Sequence, residues 1–443
     1  MVSFFHTYDL RGVYPDEISE EEAERVGKAY GTLTDADSVL VGRDGRDHGD
    51  TISEVFIDGV KSTGTDVEFA GMVPTPLIYF GQVDRNMKSS AVVTASHNPP
   101  EYTGFKFCRE NAVAMSRGGG MEEMEQIYRT QDFDSGVATE ESVGVTEDYI
   151  NAVKEEIGKL DVSVVINCGN GVTGVLARDL FEELGCDVKM VNEEVDGGFP
   201  NHLPDPGEEE ARRQLKEAMD DEDLGIIFDG DGDRAGFVLP EYGYVEEDKV
   251  LTLFAEESLK REKGTVVHDL RASKLVPEKV KESGGEPEES RVGHTFISER
   301  IHEGDDVVFA GELSGHYYFP AFGFPWDDGL FAGALMARMV LDGNLEERIG
   351  WFPEYPVSPE LRIDCPEDVK SEVVERFRQE YSDHELTTKD GVKVRFENGW
   401  ALVRPSSTEP KMSVRCEADT EEDLDNIREE VESKVRELIE ELS

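Results

Sequence analysis

The chain is poor in cysteine, in long apolar runs and in basic residues. Five cysteines (Cys108, Cys168, Cys186, Cys365, Cys416) are scattered through 443 residues with no paired metal-ligand spacing. An odd, dispersed set argues against a disulfide frame and fits reduced cytoplasmic thiols. No run approaches the roughly 18 apolar residues of a membrane span. The start Met1-Val2-Ser3-Phe4-Phe5 lacks the positive charge of a secretory leader, so a cytoplasmic protein without a membrane partner is expected. Lys and Arg number 45 against 98 Asp and Glu, a formal net charge of -53. Nucleic acids and anionic membranes call for basic patches, so neither is an expected partner.

The acid excess runs along the whole chain and is not confined to one tail. Such a field repels an anionic ligand in dilute buffer. At about 1 M salt the Debye length is only about 3 Å, and distant charge hardly acts. The pattern fits a salt-rich cytoplasm, with an acidic interaction surface as the alternative. Runs such as Glu20-Glu21-Glu22 and Glu208-Glu209-Glu210 read as solvated helix faces.

A chain of this length predicts several domains. Strand-like runs alternate with glycine-bearing loops and helical stretches, which argues for α/β units. Strands are expected at 38–42, 162–167, 188–191, 224–228, 265–268 and 307–310. The loop Cys168-Gly169-Asn170-Gly171-Val172-Thr173-Gly174 is better read as a tight turn than as a phosphate cradle. Strands at 392–396, 400–403 and 411–416, then a helix opened by Thr420-Glu421-Glu422-Asp423, predict a last α+β unit. The proline-rich stretch 352–359 is a plausible linker before it. The expected division is 1–140, 141–240 and 241–352 as α/β domains of similar architecture, and 353–443 as the α+β domain.

Two loops carry chemistry by residue type. Thr94-Ala95-Ser96-His97-Asn98-Pro99 follows Ala91-Val92-Val93 and places a hydroxyl at a strand end, suited to a nucleophile or phosphate carrier. Adjacent residues usually point apart, so His97 is a poor candidate to activate Ser96. Phe228-Asp229-Gly230-Asp231-Gly232-Asp233-Arg234 alternates carboxylates with glycines. In an extended segment Asp229, Asp231 and Asp233 point one way and can converge on a hard cation such as Mg²⁺. Arg234 can balance them or reach a phosphate.

With Gly311-Glu312-Leu313-Ser314-Gly315-His316, Arg404-Pro405-Ser406-Ser407-Thr408-Glu409-Pro410 and Tyr8-Asp9-Leu10-Arg11-Gly12, these loops resemble the α-D-phosphohexomutase superfamily, in its order and over essentially the whole chain. The resemblance implies four domains round a central cleft. It implies interconversion of hexose 1- and 6-phosphates of mannose or glucose, as a monomer or dimer. Ser96 becomes the phosphoserine, and a hexose 1,6-bisphosphate is the intermediate. Mg²⁺ is held by Asp229, Asp231, Asp233 and the phosphate on Ser96. Arg11 and Lys106 match residues for proton transfer or charge stabilisation, with an exposed strand lysine as the alternative account of Lys106. Glu312 and Ser314 match sugar-binding residues, and Arg271 and His294 match positions near the substrate in some members. His316 is a candidate base because its ordinary pKa lies near neutrality. Arg404, Ser406, Ser407 and Thr408 suit a phosphate that binds without reacting. Ser407 departs from the usual glycine or asparagine. Leu313 stands where methionine or glutamine is usual and is closer to methionine, which leaves phosphoglucosamine mutase as the alternative. A phosphatase and a non-catalytic sugar-phosphate binder are the readings from other classes.

Overall fold

Strands such as Ser90–Val93 and Leu224–Phe228 are buried at every position. Continuous apolar strands of this kind need cover on both faces, which helices supply in parallel sheets. The structure, a computed structural model, describes residues 4–406 and 409–443. Four sheets follow one another along the chain.

The first three sheets share one plan. In the first, Ser38–Arg43 pairs in parallel with Asp66–Met72 and with Ser90–Val93, and Ser90–Val93 pairs antiparallel with Tyr102–Arg109. In the second, Ser163–Asn167 lies between Asp187–Val191 and Leu224–Phe228 in parallel, and Leu224–Phe228 pairs antiparallel with Ala235–Leu239. In the third, Thr265–Asp269 lies between Glu286–Ser290 and Val307–Gly311, and Val307–Gly311 pairs antiparallel with Tyr317–Phe319. The reversal after the third parallel strand is a motif loop every time. Ser96, Asp229–Asp233 and Glu312–His316 therefore occupy equivalent places in three domains.

Leu10–Val13 adds to the first sheet beside Tyr102–Arg109, with Arg11 opposite Gly104. A Cβ at Gly104 would lie 2.1 Å from the Leu10 carbonyl oxygen, so only glycine permits the pairing. The fourth sheet is antiparallel throughout. Glu421–Leu442 covers it with Leu424, Ile427, Val431, Val435 and Leu438 buried, and Thr420 caps the helix by accepting from the Asp423 amide at 3.2 Å. The stretch expected as a linker is docked: Ser358 N–H donates to the Cys416 carbonyl and Ala418 N–H to that of Pro356. Its prolines cannot continue a helix, but its remaining polar groups extend the edge of this sheet.

At the glycine loop after Ser163–Asn167, Gly169 and Asn170 both have positive φ, as a tight turn requires. One apolar core runs through the second and third domains and takes in part of the first, while the fourth keeps a core of its own. All five cysteines are buried free thiols. Among the described residues no helix is long and apolar enough to cross a membrane.

Candidate active site

Ser96 is buried, with φ of +49° in the left-handed region. Its N–H donates to Thr94 Oγ1 at 2.8 Å, and its Oγ donates to Asp229 Oδ2 at 2.8 Å. His97 Nδ1 lies 3.2 Å from the same Oγ, contrary to the expectation that the two side chains diverge. The left-handed turn at Ser96 removes the strand alternation on which that expectation rested. Burial, together with Arg234 and Arg11, pushes the His97 pKa down to about 3, so the ring stays neutral.

Asp229, Asp231 and Asp233 are fully buried, and one oxygen from each lies within 4.8 Å of the others. They converge through a wound loop, not an extended segment. Asp229 Oδ1 accepts from the Gly232 and Arg234 amides at 2.9 and 3.1 Å, and Gly232 has φ of +81°. A Cβ at Gly230 would lie 2.4 Å from the Ser96 carbonyl oxygen, so the glycine lets the two loops touch. Asp231 Oδ1 and Asp233 Oδ1 are buried without hydrogen-bond partners among the described residues. Two such oxygens in an all-carboxylate set suit a hard cation such as Mg²⁺.

Lys106 is buried, not an exposed strand lysine. Its Nζ pairs with Asp231 Oδ2 at 2.7 Å and with Asp233. Burial alone would lower its pKa, but Asp231 and Asp233 outweigh burial and raise it. Burial and the two neighbouring carboxylates raise that of Asp229. Arg234 Nε donates to Asp229 at 3.1 Å and Nη1 to Asp205 at 3.4 Å, leaving Nη2 buried without a hydrogen-bond partner among the described residues.

The third loop joins this cluster through backbone: Arg234 bridges His316, and the Ala235 N–H donates to the Gly315 carbonyl at 3.2 Å. Glu312 is buried, and its Oε1 accepts from the Gly293 amide at 2.8 Å. His316 Nδ1 lies 2.9 Å from Ser314 Oγ and 3.2 Å from Glu312, and its Nε2 lies 3.6 Å from Asp233. Burial lowers the His316 pKa, but Asp233 and Glu312 overcome it and push it up to about 10. The near-neutral value behind the base assignment therefore does not hold in this arrangement. His294 stacks on His316 at 5.5 Å and places Nδ1 3.2 Å from Asp327. Arg271 pairs with Asp269 at 2.7 Å, and Asp269 also accepts from the Leu313 amide at 3.1 Å.

Arg11 pairs with Asp9 at 2.7 Å and donates to Asn98 Oδ1 at 2.5 Å. Arg404 pairs with Asp390 at 3.1 Å, and Lys370 donates to the Ser406 carbonyl at 2.9 Å. Tyr8 links the outlying groups. Its ring meets His294 edge-on at 5.4 Å. Its pKa is raised by burial, Asp9 and Glu312 and lowered by Arg11 and Arg404. Ser407 and Thr408 lie outside the described residues. Asp327, Asp205 and Arg46 escaped the sequence argument. Asp327 closes the strand Phe324–Asp327, and Asp44-Gly45-Arg46 follows Ser38–Arg43, the one signal available.

Family models for phosphoglucomutase/phosphomannomutase α/β/α domains I, II and III match residues 3–135, 147–243 and 246–355, and that for the C-terminal domain matches 360–434. A phosphomannomutase/phosphoglucomutase of Pseudomonas aeruginosa is 36% identical, over 96% of this chain and 94% of that one. The chain belongs to the phosphoglucomutase/phosphomannomutase family. A phosphomannomutase of Methanocaldococcus jannaschii is 34% identical over 98% of both chains. A probable phosphoglucosamine mutase of Methanopyrus kandleri is 33% identical over the full length of both. The crystal structure of a phosphoglucomutase/phosphomannomutase family protein from Burkholderia thailandensis superposes with a TM-score of 0.90 at 31% identity, covering 99% of this chain and 98% of that one.

Proposed function

We propose that this member of the family is a phosphohexomutase that interconverts hexose 1-phosphates and 6-phosphates, with Ser96 as the phosphate carrier. The observation that carries this is the junction of two domains at Ser96. Its Oγ meets Asp229 at 2.8 Å, while Lys106 from the same domain pairs with Asp231 and Asp233. A phosphate on Ser96 is then transferred to the free hydroxyl of a hexose monophosphate. The bisphosphate turns over and returns its other phosphate to Ser96. Asp229, Asp231, Asp233 and the phosphoserine would hold Mg²⁺, which when bound neutralises charge on the transferring phosphoryl group.

Lys106 and Arg11 stabilise the same charge from the side of the first domain. Glu312 and Ser314 accept from sugar hydroxyls, and His316 donates to the sugar or serves as base once a cation on Asp233 relieves its charge. The free Nη2 of Arg234 faces the reacting phosphate, with Arg271 and His294 beyond it. Arg404, Ser406, Ser407 and Thr408 hold the phosphate that does not react. These roles assign the domains near 1–140, 141–240, 241–352 and 353–443 to carrier, metal, sugar and phosphate. Buried free thiols support a reducing, cytoplasmic setting, and the acid excess supports a salt-rich one.

Mannose and glucose phosphates are the preferred substrates on the strength of Leu313, an apolar side chain next to Glu312. The amino sugar is the second reading, favoured by the Methanopyrus kandleri relative. Coupled assays with the three 1-phosphates side by side decide between them. Total organic phosphate should stay constant, since release of inorganic phosphate would mark a phosphatase. Ser96→Ala should lose turnover by at least about a thousandfold, because the oxygen that carries the phosphate is gone. Intact mass should show one phosphate on the wild type, mapping to Ser96. Full activity in the alanine variant would end the proposal.

A further inference from the structure

Arg46 is 3% exposed and sits at the end of Ser38–Arg43, beneath the serine loop. Its Nη1 donates to the carbonyls of Pro99 at 2.7 Å and Tyr102 at 2.9 Å. Its Nη2 donates to the carbonyls of Ser96 at 2.9 Å and Asn98 at 2.6 Å. Four carbonyl dipoles of one loop thus point at one guanidinium. Without a cation between them they would repel one another and go unsatisfied in a buried place. Asp44 balances the charge, with Oδ2 3.3 Å from Nε and Oδ1 accepting from the Arg46 amide at 3.1 Å.

The second domain closes over the same group. The Phe199 ring centroid is 5.2 Å from the guanidinium carbon. A Cβ at Gly197 would lie 2.7 Å from Arg46 Cα. The Ser96 carbonyl is held between Arg46 and Gly230 of the carboxylate loop. A serine at φ of +49° is an uncommon conformation that persists only where its surroundings over-determine it.

We propose that Arg46 is the positioning residue for the phosphate carrier: by gathering the carbonyls of Ser96, Asn98, Pro99 and Tyr102 it holds the loop in its left-handed turn and aims Ser96 Oγ at the carboxylate loop. A planar fork with five N–H donors spans four acceptors. A lysine ammonium offers three donors from one point and cannot. The proposal rests on Ser96 being the carrier, so the test carries a separate arm for that.

The variants are Arg46→Lys, Arg46→Met and Ser96→Ala in the full chain. They are compared by melting temperature, kcat, KM and the rate at which glucose 1,6-bisphosphate phosphorylates Ser96, read by intact mass. Arg46→Lys keeps a buried cation and is expected to fold. Its kcat should fall about a hundredfold, the scale of a 1 Å misplacement, with KM within about threefold because the sugar is bound by other loops. Phosphate uptake by Ser96 should slow in parallel. Arg46→Met should lose at least as much. Wild-type kcat in Arg46→Lys with an inactive Ser96→Ala overturns the positioning role and leaves the mutase reading standing. An active Ser96→Ala overturns the mutase reading itself. A rise in KM alone, or unfolding of both Arg46 variants, overturns the positioning role in favour of a structural one.

Discussion

The second and third domains meet through apolar side chains, and the third and fourth meet mainly through polar ones. Phe237 of the second domain packs against Phe254 and Tyr317 of the third, with centroids 5.9 and 6.4 Å away, inside one continuous core. Between the third and fourth domains the described residues form the small apolar cluster Leu270, Trp400 and Leu402, with Tyr355 also packed against the shared core. Around it Lys393 and Arg395 pair with Glu289 at 2.8 and 2.6 Å, and Glu417 accepts from Trp400 Nε1 and the Lys274 amide, both at 2.9 Å. Apolar burial is lost when a seam opens, whereas water can replace many polar contacts. The carboxylate loop and the Glu312 loop are thus fixed against each other, whereas the Arg404 loop rides on a unit joined mainly by polar contacts. The proposed reaction needs reacting groups held still and a bisphosphate accepted in two orientations, and the two kinds of seam would suit those two tasks.

The strongest way to break the comparison is at the fixed side. Asp231→Asn removes an anion from a set of three, so Mg²⁺ affinity should fall at least tenfold, about 1.4 kcal/mol, with a larger loss in kcat. Melting of the metal-free protein should fall by a few degrees. Against burial and Asp233, Lys106 and Thr75 hold the Asp231 carboxyl below its usual range, and that charged pairing is lost while Lys106 keeps Asp233. Calorimetric titration and melting curves with and without Mg²⁺ check both. Equal metal affinity would reduce the loop to an acidic turn.

The movable side should respond less. Arg404 has a fifth of its side chain exposed and pairs within its own domain, to Asp390. If Arg404 holds the phosphate as proposed, Arg404→Lys loses the guanidinium fork and should raise KM by about tenfold with kcat nearly unchanged. A kcat loss as large as that of Asp231→Asn would erase the distinction between the two sides.

Salt sharpens the contrast least. Raising KCl from dilute to molar should lift the melting temperature by several degrees, as screening relieves the repulsion of 98 acidic over 45 basic residues. The buried Lys106 and Arg234 pairs are screened less than the partly exposed Arg395–Glu289 pair, so metal affinity should change less than KM. A protein most stable in dilute buffer would instead point to an acidic face that binds a basic partner.

Much of the fold was legible because its strands are continuous apolar runs and its loops are marked by glycine. Leu224–Phe228 and Val392–Phe396 have the expected limits, and the three motif loops fall in three successive units. The equivalence of those loops, each at the reversal after a third parallel strand, has no counterpart in sequence similarity. It emerges from strand order alone.

Within the site, residue type singled out Ser96 and the three aspartates, since a nucleophile and a hard-cation ligand demand particular atoms, and the fold brings these to one junction; Glu312 and Arg404 entered through the family resemblance, and their roles are proposals. Tertiary structure decided the rest. The left-handed turn at Ser96 brings His97 against its Oγ, and the carboxylates around His316 raise its pKa. The strand carrying Lys106 packs it against aspartates 125 and 127 positions away, and four carbonyls close on Arg46. Charge state and contact depend on what packing brings within a few ångströms, and local spacing along a chain carries no record of a neighbour more than a hundred residues distant.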